Sequence, residues 1–396
     1  MPLKGFFAAV QPSQIPTSII PRCGACGLYR RCQSPRMACT GTGRKGILIV
    51  AEAPGKNEDL KGTQLIGKAG QHLRKSLKKL KVDLDADCWK TNALICHPGG
   101  EKPEDKRVLA CRPNLLKTLD ELKPRTIILL GAHAVKSLIG KLWREDVGAI
   151  GRWVGWQIPS QELGAWVCPT YHPSYLLRQN DPALQFHFDK HLKAAVELEG
   201  RPPKGTDYRK QVKVIQSPEI AAGLLWDYLK KEGLIAFDYE TNGLKPEPSW
   251  SEIVSCSVCW EGEETISFPW EGIAVRAMGE LLHSSKVGKI AQNMKFEQRW
   301  TQAKLGHGVR NWKWDTMIAA HVLDNRPGVT GLKFQAFARL GVGSYDDHIG
   351  PYLKSKGEGQ PNRVREIPLR ELLLYGGIDS AVTWDLAQLQ MKEIRG

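Results

Sequence analysis

Two acidic patterns in the second half of the 396-residue chain have the spacing of a metal-binding site. Asp238 and Glu240 are two residues apart in an apolar run, so on a β-strand their carboxylates face the same side. Tyr375 and Asp379 are four residues apart, so on a helix they share one face. Two Mg²⁺ or Mn²⁺ ions held about 3.5–4 Å apart by carboxylates can activate a water molecule and stabilise a leaving oxygen. The pattern therefore predicts two-metal phosphodiester hydrolysis, in which Tyr375 orients the attacking water.

A second set of candidate ligands lies in the first half of the chain and consists of thiols. The four cysteines whose spacing suits a single metal centre are Cys23, Cys26, Cys96 and Cys111. Four thiolates can bind either a tetrahedral zinc ion or an iron–sulfur cluster, and their spacing alone does not choose between the two. Cys32 and Cys39 lie nearby in the sequence and could replace one of the four.

The composition is that of a globular protein with a basic first half. Residues 1–200 contain 30 lysines and arginines against 18 aspartates and glutamates, whereas the rest of the chain is nearly neutral. This asymmetry indicates a polyanionic partner such as DNA, with simple solubility as the alternative. No apolar run reaches membrane-spanning length and no signal-peptide core follows Met1. We therefore expect no membrane partner, and we expect the ten cysteines to be thiols or metal ligands in a cytoplasmic protein.

The elements that must position these residues alternate in the first half. Apolar runs predict strands at Gly46–Ala51, Trp89–Cys96, Thr126–Gly131 and Trp166–Thr170. Between the first two strands, Leu73, Leu77 and Leu80 recur on one face of a predicted helix over Gly70–Leu80. Alternating strands and helices predict an α/β domain with a parallel sheet over residues 1–200, followed by a linker at 201–211.

Residues 212–396 are predicted to form a second domain in which strands precede helices. Strand candidates lie at Leu234–Tyr239, Ile253–Trp260 and Glu264–Phe268. Helical stretches follow at Asn293–Ala303, Asp315–Leu323, Leu332–Leu340 and Leu369–Lys392. This order is typical of an RNase H-like domain with a mixed sheet and covering helices. The charged, glycine-containing segment Lys354–Arg365 is expected to be a mobile loop.

The acidic patterns resemble a known family. Phe-Asp-Tyr-Glu-Thr at 237–241, Gln-Asn-Met-Lys-Phe-Glu at 292–297, Asp-Thr-Met at 315–317 and the Tyr375–Asp379 spacing resemble the proofreading 3′–5′ exonuclease domain of family A DNA polymerases, over about residues 210–396. The resemblance implies that Glu297 is a catalytic carboxylate, although the family usually has an aspartate there. It leaves Asn293 as either a contact to the substrate strand or a structural amide.

The first half resembles another family. Ala-Glu-Ala-Pro-Gly at 51–55, Gly-Lys-Ala-Gly at 67–70, Thr-Asn at 91–92 and Thr-Tyr-His-Pro-Ser-Tyr-Leu-Leu-Arg at 170–178 resemble the family four uracil-DNA glycosylases, over about residues 20–195. In that family four cysteines hold a structural [4Fe–4S] cluster. The resemblance implies that the ligands here are Cys23, Cys26, Cys96 and Cys111.

The same resemblance implies roles for individual residues. Uracil must be flipped out of the DNA helix and then leaves as an anion, so a hydrogen-bond donor aimed at its oxygen lowers the barrier. His172 is the implied donor, Asn92 reads the Watson–Crick edge, Glu52 positions the water, and Arg178 presses into the DNA groove. Leu65 stands where family members usually have a phenylalanine that stacks on uracil, and such stacking is worth roughly 1–3 kcal/mol per base.

The combined layout resembles the start of some phage family A DNA polymerases, in which a polymerase domain follows. Here the chain stops at Gly396, so we expect that it does not synthesise DNA and that a separate polymerase chain is a possible partner. Two interpretations of the first half remain open. It is either an active glycosylase, as Glu52, Asn92 and His172 indicate, or a non-catalytic DNA- or polymerase-binding module, as Leu65 indicates.

Overall fold

A computed structural model describes residues 23–101, 103–143, 145–355, 357 and 359–396 of the chain. The first 22 residues of the expected first domain, and two residues of the expected loop at 354–365, lie outside the described residues. The chain forms two compact units, of which the first ends at Gly205 and also includes Phe337–Gly343. The second comprises Thr206–Ala336 and Ser344–Gly396. In the described residues, no helix combines the length and the apolar character that a membrane span requires.

The first unit is built on a mainly parallel sheet. Its described strands are β1 (Ile47–Ala51), β2 (Cys88–Asn92), β3 (Thr126–Leu130), β4 (Ile158–Ser160) and β5 (Ala165–Thr170). They are ordered β2-β1-β3-β5-β4, and every neighbouring pair is parallel except β4 with β5. The five residues of β1 are all apolar and all buried, as expected for a strand covered on both faces. The predicted α/β fold of the first half is confirmed.

Helices cover this sheet. They are α1 (Lys56–Lys61), α2 (Lys68–Lys79), α3 (Asp105–Leu122), α4 (Ala132–Leu142), α5 (Pro173–Gln179) and α6 (Pro182–Val196). Leu73 and Leu77 of α2 pack with Phe188 and Leu192 of α6 in one buried cluster against the sheet. The predicted strand at Trp89–Cys96 ends at Asn92, and the next two main-chain N–H groups, of Ala93 and Leu94, donate to the carbonyl oxygens of Ala51 and Glu52.

The second unit contains a mixed sheet. Its described strands are β6 (Val212–Val214), β7 (Gly233–Thr241), β8 (Ile253–Trp260), β9 (Glu264–Pro269), β10 (Val287–Ala291) and β11 (Trp312–Asp315). They are ordered β11-β10-β7-β8-β9-β6, and β8 is antiparallel to both β7 and β9. The helices are α7 (Tyr208–Gln211), α8 (Pro218–Lys231), α9 (Gly272–His283), α10 (Met294–Leu305), α11 (Thr316–Leu323), α12 (Leu332–Gln335) and α13 (Leu369–Arg395). The predicted combination of a mixed sheet and helices is confirmed.

The two faces of the second sheet are covered by different helices. Phe237 and Tyr239 of β7 pack in a core with residues of α8 and α9. Ala236 faces the other way, toward Trp384 and Ala387 of α13. Because side chains alternate along a strand, the residues at 238 and 240 also face α13. The long helix α13 therefore lies over the acidic face of β7.

Glycines and serines let α13 approach the sheet closely. A Cβ atom on Gly377 would lie 2.3 Å from Val212 Cγ1, so only glycine fits at this contact. The hydroxyl of Ser257 on β8 donates to the carbonyl oxygen of Gly376 at 2.7 Å and lies 2.6 Å from the hydroxyl of Ser380. These contacts set the position of the helix along the strands.

Two expected connecting segments contain ordered contacts. The expected linker at 201–211 includes α7, where the buried Tyr208 donates its hydroxyl proton to Asp385 at 2.6 Å. In the expected loop at 354–365, Arg365 forms an ion pair with Glu252.

The predicted helix at Leu332–Leu340 is divided into α12 and a π-helical turn at Ala336–Leu340.

Candidate active sites

The acidic residues of the second unit converge at one point. Asp238 and Glu240 extend from β7 and Asp379 from α13, and one carboxylate oxygen of each lies within 4.8 Å of the others. Among the described residues these three form the group of side chains able to surround a metal ion. Because side chains alternate along β7 and α13 lies over its acidic face, Asp238 and Asp379 meet although they are 141 positions apart in the sequence.

The electrostatics of this group favour cation binding. Burial, with a further contribution from the charge of Asp379, raises the pKa of Asp238 to about 8. Burial also raises the pKa of Glu240 well above its ordinary value, and the charges of Asp238 and Asp379 act in the same direction. Carboxylates that repel one another in a partly dry site are stabilised by hard divalent cations. The residues present therefore fit Mg²⁺ or Mn²⁺.

Glu297, which belongs to α10, lies beside this acidic group. It is buried, and its Oε2 atom has no hydrogen-bond partner among the described residues. Burial raises its pKa well above the ordinary value, and the charge of Asp238 raises it further. An unpaired buried carboxylate oxygen is costly unless a ligand satisfies it, so Glu297 is available to the same site.

Tyr375 lies one turn before Asp379 on α13. Its side chain is almost buried, yet none of the described residues hydrogen-bonds its hydroxyl. Burial raises its pKa well above the ordinary value, and the charges of Asp379 and Glu240 add to this effect. The hydroxyl therefore stays protonated and is free to hold a water molecule.

Sequence reasoning missed two residues that contact Asp379. Lys333 on α12 places its Nζ atom 2.5 Å from Asp379 Oδ1. The hydroxyl of Tyr345 donates to the same oxygen. Neither residue belongs to an acidic motif or to a helical period shared with Asp379, so the sequence offered no signal for them.

Asp315 anchors the loop that carries Asn293. The Asn293 backbone is left-handed, with φ 66° and ψ 57°. Its N–H donates to Asp315 Oδ1 at 3.1 Å, and the next N–H, from Met294, donates to Oδ2 at 2.9 Å. Asp315 also caps the start of α11. The Asn293 side chain has no hydrogen bond to the described residues, so its amide is free to meet a ligand.

The candidate residues of the first unit meet at the carboxyl edge of its sheet. Glu52 directly follows β1, Asn92 ends β2 opposite Ala51, and His172 follows β5. The carboxyl ends of parallel strands are where ligands bind in open α/β sheets. The sheet therefore brings together three of the residues implied by the resemblance.

Glu52 is held by the start of α4. Its Oε1 atom accepts the main-chain N–H of His133 at 3.1 Å, and the ring Nδ1 of His133 lies 3.5 Å away. Burial opposes ionisation of Glu52, but the main-chain N–H and the nearby ring of His133, together with His172, hold its pKa below the ordinary value. Glu52 is thus an ionised carboxylate that can orient a water molecule. His133 is a further residue that the sequence did not indicate.

His172 caps α5, and its contacts define its tautomer. Its Nδ1 atom accepts the main-chain N–H of Ser174 at 3.2 Å and lies 2.7 Å from the Ser174 hydroxyl. Burial lowers its pKa, so the ring is neutral. Because Nδ1 is an acceptor, the proton is on Nε2, which can donate a hydrogen bond.

Asn92 and Leu65 lie in different surroundings. Asn92 is 3% exposed, and no described residue hydrogen-bonds its side-chain amide. Leu65 is 5% exposed and packs in the core with Leu73 and Leu176, with a left-handed backbone at φ 57°. The Asn92 amide is therefore open to a polar ligand, whereas Leu65 contributes an apolar wall.

The loop between α1 and α2 and the surface beside it complete this edge. Glu58 accepts the main-chain N–H groups of Ile66 and Gly67 at 3.2 and 2.9 Å, which fixes the loop that carries Leu65. Arg178 on α5 donates to the Ser174 hydroxyl at 3.2 Å, and the neighbouring Tyr175 and Leu177 are exposed. These side chains form an apolar and basic rim.

The four candidate cysteines lie within electrostatic reach of one another. Burial raises the pKa of Cys111 to about 12, and the charges of Cys26 and Cys23 contribute. The Asn114 amide lies 3.6 Å from Cys111 Sγ and 4.0 Å from Cys23 Sγ, and the N–H of Arg36 donates to Cys96 Sγ at 3.2 Å. Burial without compensating charge disfavours thiolates unless a metal centre binds them.

The sulfur spacing is wider than a single zinc ion requires. Four thiolates around one zinc ion, each about 2.3 Å from the metal, lie roughly 3.8 Å from one another. No three described cysteines have sulfur atoms that all lie within 4.8 Å of each other. Cys32 lies beside Cys96, and burial raises its pKa, whereas Cys39 is fully buried. The arrangement fits a larger centre, such as an iron–sulfur cluster.

Comparison with known proteins identifies both parts. Residues 40–197 match the uracil DNA glycosylase superfamily, and residues 213–395 match the 3′–5′ exonuclease of the DNA polymerase A type. A type-4 uracil-DNA glycosylase of Pyrobaculum aerophilum is 36% identical over 185 residues, which are 44% of this chain and 88% of that protein. One from Sulfurisphaera tokodaii is 33% identical over 169 residues, 41% and 74% of the two chains. Through its first part, the chain belongs to the type-4 uracil-DNA glycosylase family.

More distant similarities cover other portions. A DNA polymerase of Bacillus phage SP01 is 25% identical over 386 residues, which are 88% of this chain and 40% of that polymerase. The catalytic core of RRP6 from Trypanosoma brucei superimposes with a TM-score of 0.36 and 19% identity, covering 46% of this chain and 47% of that one. RNase D of Escherichia coli gives a TM-score of 0.36 and 14% identity, covering 46% and 45%. The chain spans less than half the length of these three proteins.

The predicted organisation is confirmed by the two family matches. A uracil-DNA glycosylase-like domain is followed by a 3′–5′ exonuclease domain, so the chain is a nuclease of the hydrolase class. Domains of these two kinds process DNA, and DNA is therefore the partner of the chain. These families imply divalent metals and iron–sulfur centres in general, and the acidic group on β7 and α13 has the side chains that could hold a metal ion.

Proposed function

We propose that residues 212–396, after a linker at 201–211, form a metal-dependent proofreading-type exonuclease that removes nucleotides from single-stranded or frayed 3′ ends of DNA. The observation that carries this proposal is the convergence of Asp238, Glu240 and Asp379 within 4.8 Å. Exposed apolar side chains near the acidic motif, Leu244 and Trp250, provide surfaces on which unpaired bases can stack.

Each residue of the acidic site has a distinct task. Asp238, Glu240 and Asp379 hold two Mg²⁺ or Mn²⁺ ions, and Glu297 assists through its unpaired oxygen. The bound ions supply charge stabilisation for the attacking and leaving oxygens of the phosphodiester. Tyr375 accepts or donates a hydrogen bond that orients the attacking water, and Asn293 contacts the substrate strand.

The test is digestion of a 5′-labelled single-stranded oligonucleotide in Mn²⁺. Asp238→Ala combined with Glu240→Ala should abolish digestion while DNA binding stays nearly intact. Glu263→Ala, in the exposed turn between β8 and β9, is the matched loss of an acidic side chain and should digest at the wild-type rate. Persistent digestion by the double variant would disprove the assignment of the metal site.

We further propose that the first unit removes uracil from DNA. The carrying observation is the Asn92 amide, which none of the described residues hydrogen-bonds and whose donor and acceptor match those of the uracil edge. Neutral His172 donates through Nε2 to the uracil oxygen on which negative charge develops. Glu52 orients a water toward C1′ of the sugar, and the C1′–N1 bond breaks as uracil leaves as an anion. Leu65 lines the pocket, and Arg178 with Tyr175 and Leu177 contacts the DNA.

We also propose that the thiols hold a [4Fe–4S] cluster with a structural role. Its ligands are Cys23, Cys26, Cys96 and Cys111, and such a cluster suits the reducing cytoplasm. Purified protein should be brown, should absorb near about 400 nm and should contain iron. A colourless protein with stoichiometric zinc would exclude the cluster.

The glycosylase is tested in the exonuclease-dead double variant so that digestion does not obscure cleavage. A 5′-labelled oligonucleotide with one internal uracil is incubated in EDTA and then treated with alkali. A band at the uracil that is absent in His172→Ala, and present in the exposed control His187→Ala, is expected. No cleavage with cluster and DNA binding intact would make the first unit a non-catalytic module that binds DNA or a separate polymerase chain. Co-purification with such a polymerase is the test of that partner.

A further inference from the structure

Lys333 lies inside the acidic site of the second unit. Its Nζ atom is 2.5 Å from Asp379 Oδ1, 3.7 Å from the centre of the Tyr345 ring and 4.3 Å from the centre of the Tyr375 ring. The Tyr345 hydroxyl donates to the same Asp379 oxygen. One carboxylate oxygen therefore receives two hydrogen bonds, and an ammonium group contacts two aromatic rings.

We propose that Lys333 is a positioning residue of the exonuclease site. Together with Tyr345 it holds Oδ1 of Asp379, so that Oδ2 is presented to a metal ion. Through its contact with the ring of Tyr375 it also sets the orientation of the tyrosine that holds the water. This inference rests on the proposed exonuclease function and adds two residues to it.

The burial of the ion pair and the anchored turn before α12 keep Lys333 in this position. Its side chain is 23% exposed and that of Asp379 is 8% exposed, so the ion pair is largely removed from water. The turn before α12 is tied down because the Gln335 amide donates to the Val329 carbonyl oxygen at 2.6 Å. A lysine that served only solubility would extend into water, where its ammonium is best hydrated. Here two tyrosine rings and a carboxylate replace that water.

The expected consequence is a split between chemistry and binding. If Asp379 and Tyr375 lose their support, the reacting groups shift by a fraction of an ångström while the surface that binds DNA is unchanged. Misplacement of about 1 Å can lower a rate about 100-fold. A purely structural role would instead lower the amount of folded protein and leave the kinetic constants of the folded fraction unchanged.

The experiment compares Lys333→Met, Lys333→Arg and Tyr345→Phe with Lys231→Met, which removes the same charge at the exposed end of α8. Four quantities are measured on the full chain. They are kcat and KM on single-stranded DNA, the Kd of Mn²⁺ by calorimetry, and the Tm in EDTA and in Mn²⁺.

For Lys333→Met we expect kcat to fall about 100-fold with KM within about twofold of wild type, on the scale of a lost positioning contact. The Kd of Mn²⁺ should rise about tenfold, the equivalent of about 1.4 kcal/mol. The Tm difference between EDTA and Mn²⁺ should narrow, because a metal ion that binds more weakly stabilises the folded protein less. Lys333→Arg should recover part of kcat, and Tyr345→Phe, which keeps the ring and loses one donor, should give a smaller defect.

The proposal would be overturned if Lys333→Met kept the wild-type kcat and Mn²⁺ affinity. It would also be overturned if this variant bound Mn²⁺ more tightly, because Lys333 would then be a competitor of the metal. If Lys333→Met does not fold, unchanged constants in Tyr345→Phe would overturn it equally. The exonuclease assignment is judged separately by the variant that lacks Asp238 and Glu240. If that variant is inactive while Lys333→Met behaves as wild type, only the role of Lys333 fails.

Discussion

Glu52 and His133 are joined by two contacts to one oxygen atom. The main-chain N–H of His133 donates to Glu52 Oε1 at 3.1 Å, and the imidazole Nδ1 lies 3.5 Å from the same atom. Since α4 begins at Ala132, the carboxylate also lies at the positive end of a helix. His133, which follows β3, thus holds Glu52, which follows β1, in its ionised form.

This pair predicts a pH-dependent contribution to stability. The nearby carboxylate of Glu52 raises the pKa of His133, so the imidazolium is favoured in the folded protein. A histidine whose pKa is raised by folding stabilises the folded protein. This stabilisation is complete at pH values below the pKa in the unfolded chain, about 6.5, and is lost as the pH rises through the pKa in the folded protein. The difference in unfolding free energy between wild type and His133→Ala should therefore be larger at about pH 6 than at about pH 8. Denaturant unfolding at both pH values measures it, and an equal difference would contradict the charged pair.

Gly131 allows Glu52 to approach the sheet. A Cβ atom there would lie 2.5 Å from Glu52 Oε1, and the backbone has φ 94°. Gly131→Ala should displace the carboxylate, lower uracil excision at least tenfold and cost about 1–3 kcal/mol of stability through backbone strain. Gly148→Ala, at φ 65° with no atom within 4 Å of its Cβ, is the control for strain without a clash. It should keep excision at the wild-type level in the alkali assay.

The acidic group predicts that stability in EDTA falls with rising pH. Burial raises the pKa of Asp238 to about 8, above its unfolded value of about 3.9. A carboxyl group with a raised pKa binds its proton more readily in the folded state, so ionisation between about pH 4 and pH 8 destabilises the fold. Asp238→Asn should raise the Tm in EDTA at about pH 8 by several degrees and flatten the pH dependence, although exonuclease activity is lost. Equal pH slopes for both proteins in scanning calorimetry would refute the raised pKa.

Gly377 sets the distance between α13 and β6. A Cβ atom at this position would meet Val212 Cγ1 at 2.3 Å, so Gly377→Ala should cost about 1–3 kcal/mol by overpacking. Because Tyr375 and Asp379 share this helix, the variant should also lose exonuclease activity at temperatures where it is folded. Gly223→Ala on α8 has open space around the new methyl group and should gain about 0.5–1 kcal/mol. Chemical denaturation ranks the two, and a neutral Gly377→Ala would mean that the helix can shift.

Local periodicity made much of the second unit predictable. Asp238 and Glu240 could be assigned to one face of a strand, and Tyr375 and Asp379 to one face of a helix, because side-chain direction follows from residue spacing alone. The order of strands and helices predicted the parallel sheet of the first half and the mixed sheet of the second, and the structure confirms both. The cysteine spacing indicated a metal centre but not its identity.

The sequence by itself thus determined the types of chemistry, the order of the two domains and the elements that carry the motifs. Only the tertiary structure decided which distant side chains support them. Lys333 and Tyr345 reach Asp379 from separate segments, and His133, after β3, reaches Glu52 at the end of the neighbouring strand β1. The physical reason is that spacing fixes which face of its own element a side chain occupies, whereas contacts between elements depend on how strands are ordered and how closely helices pack.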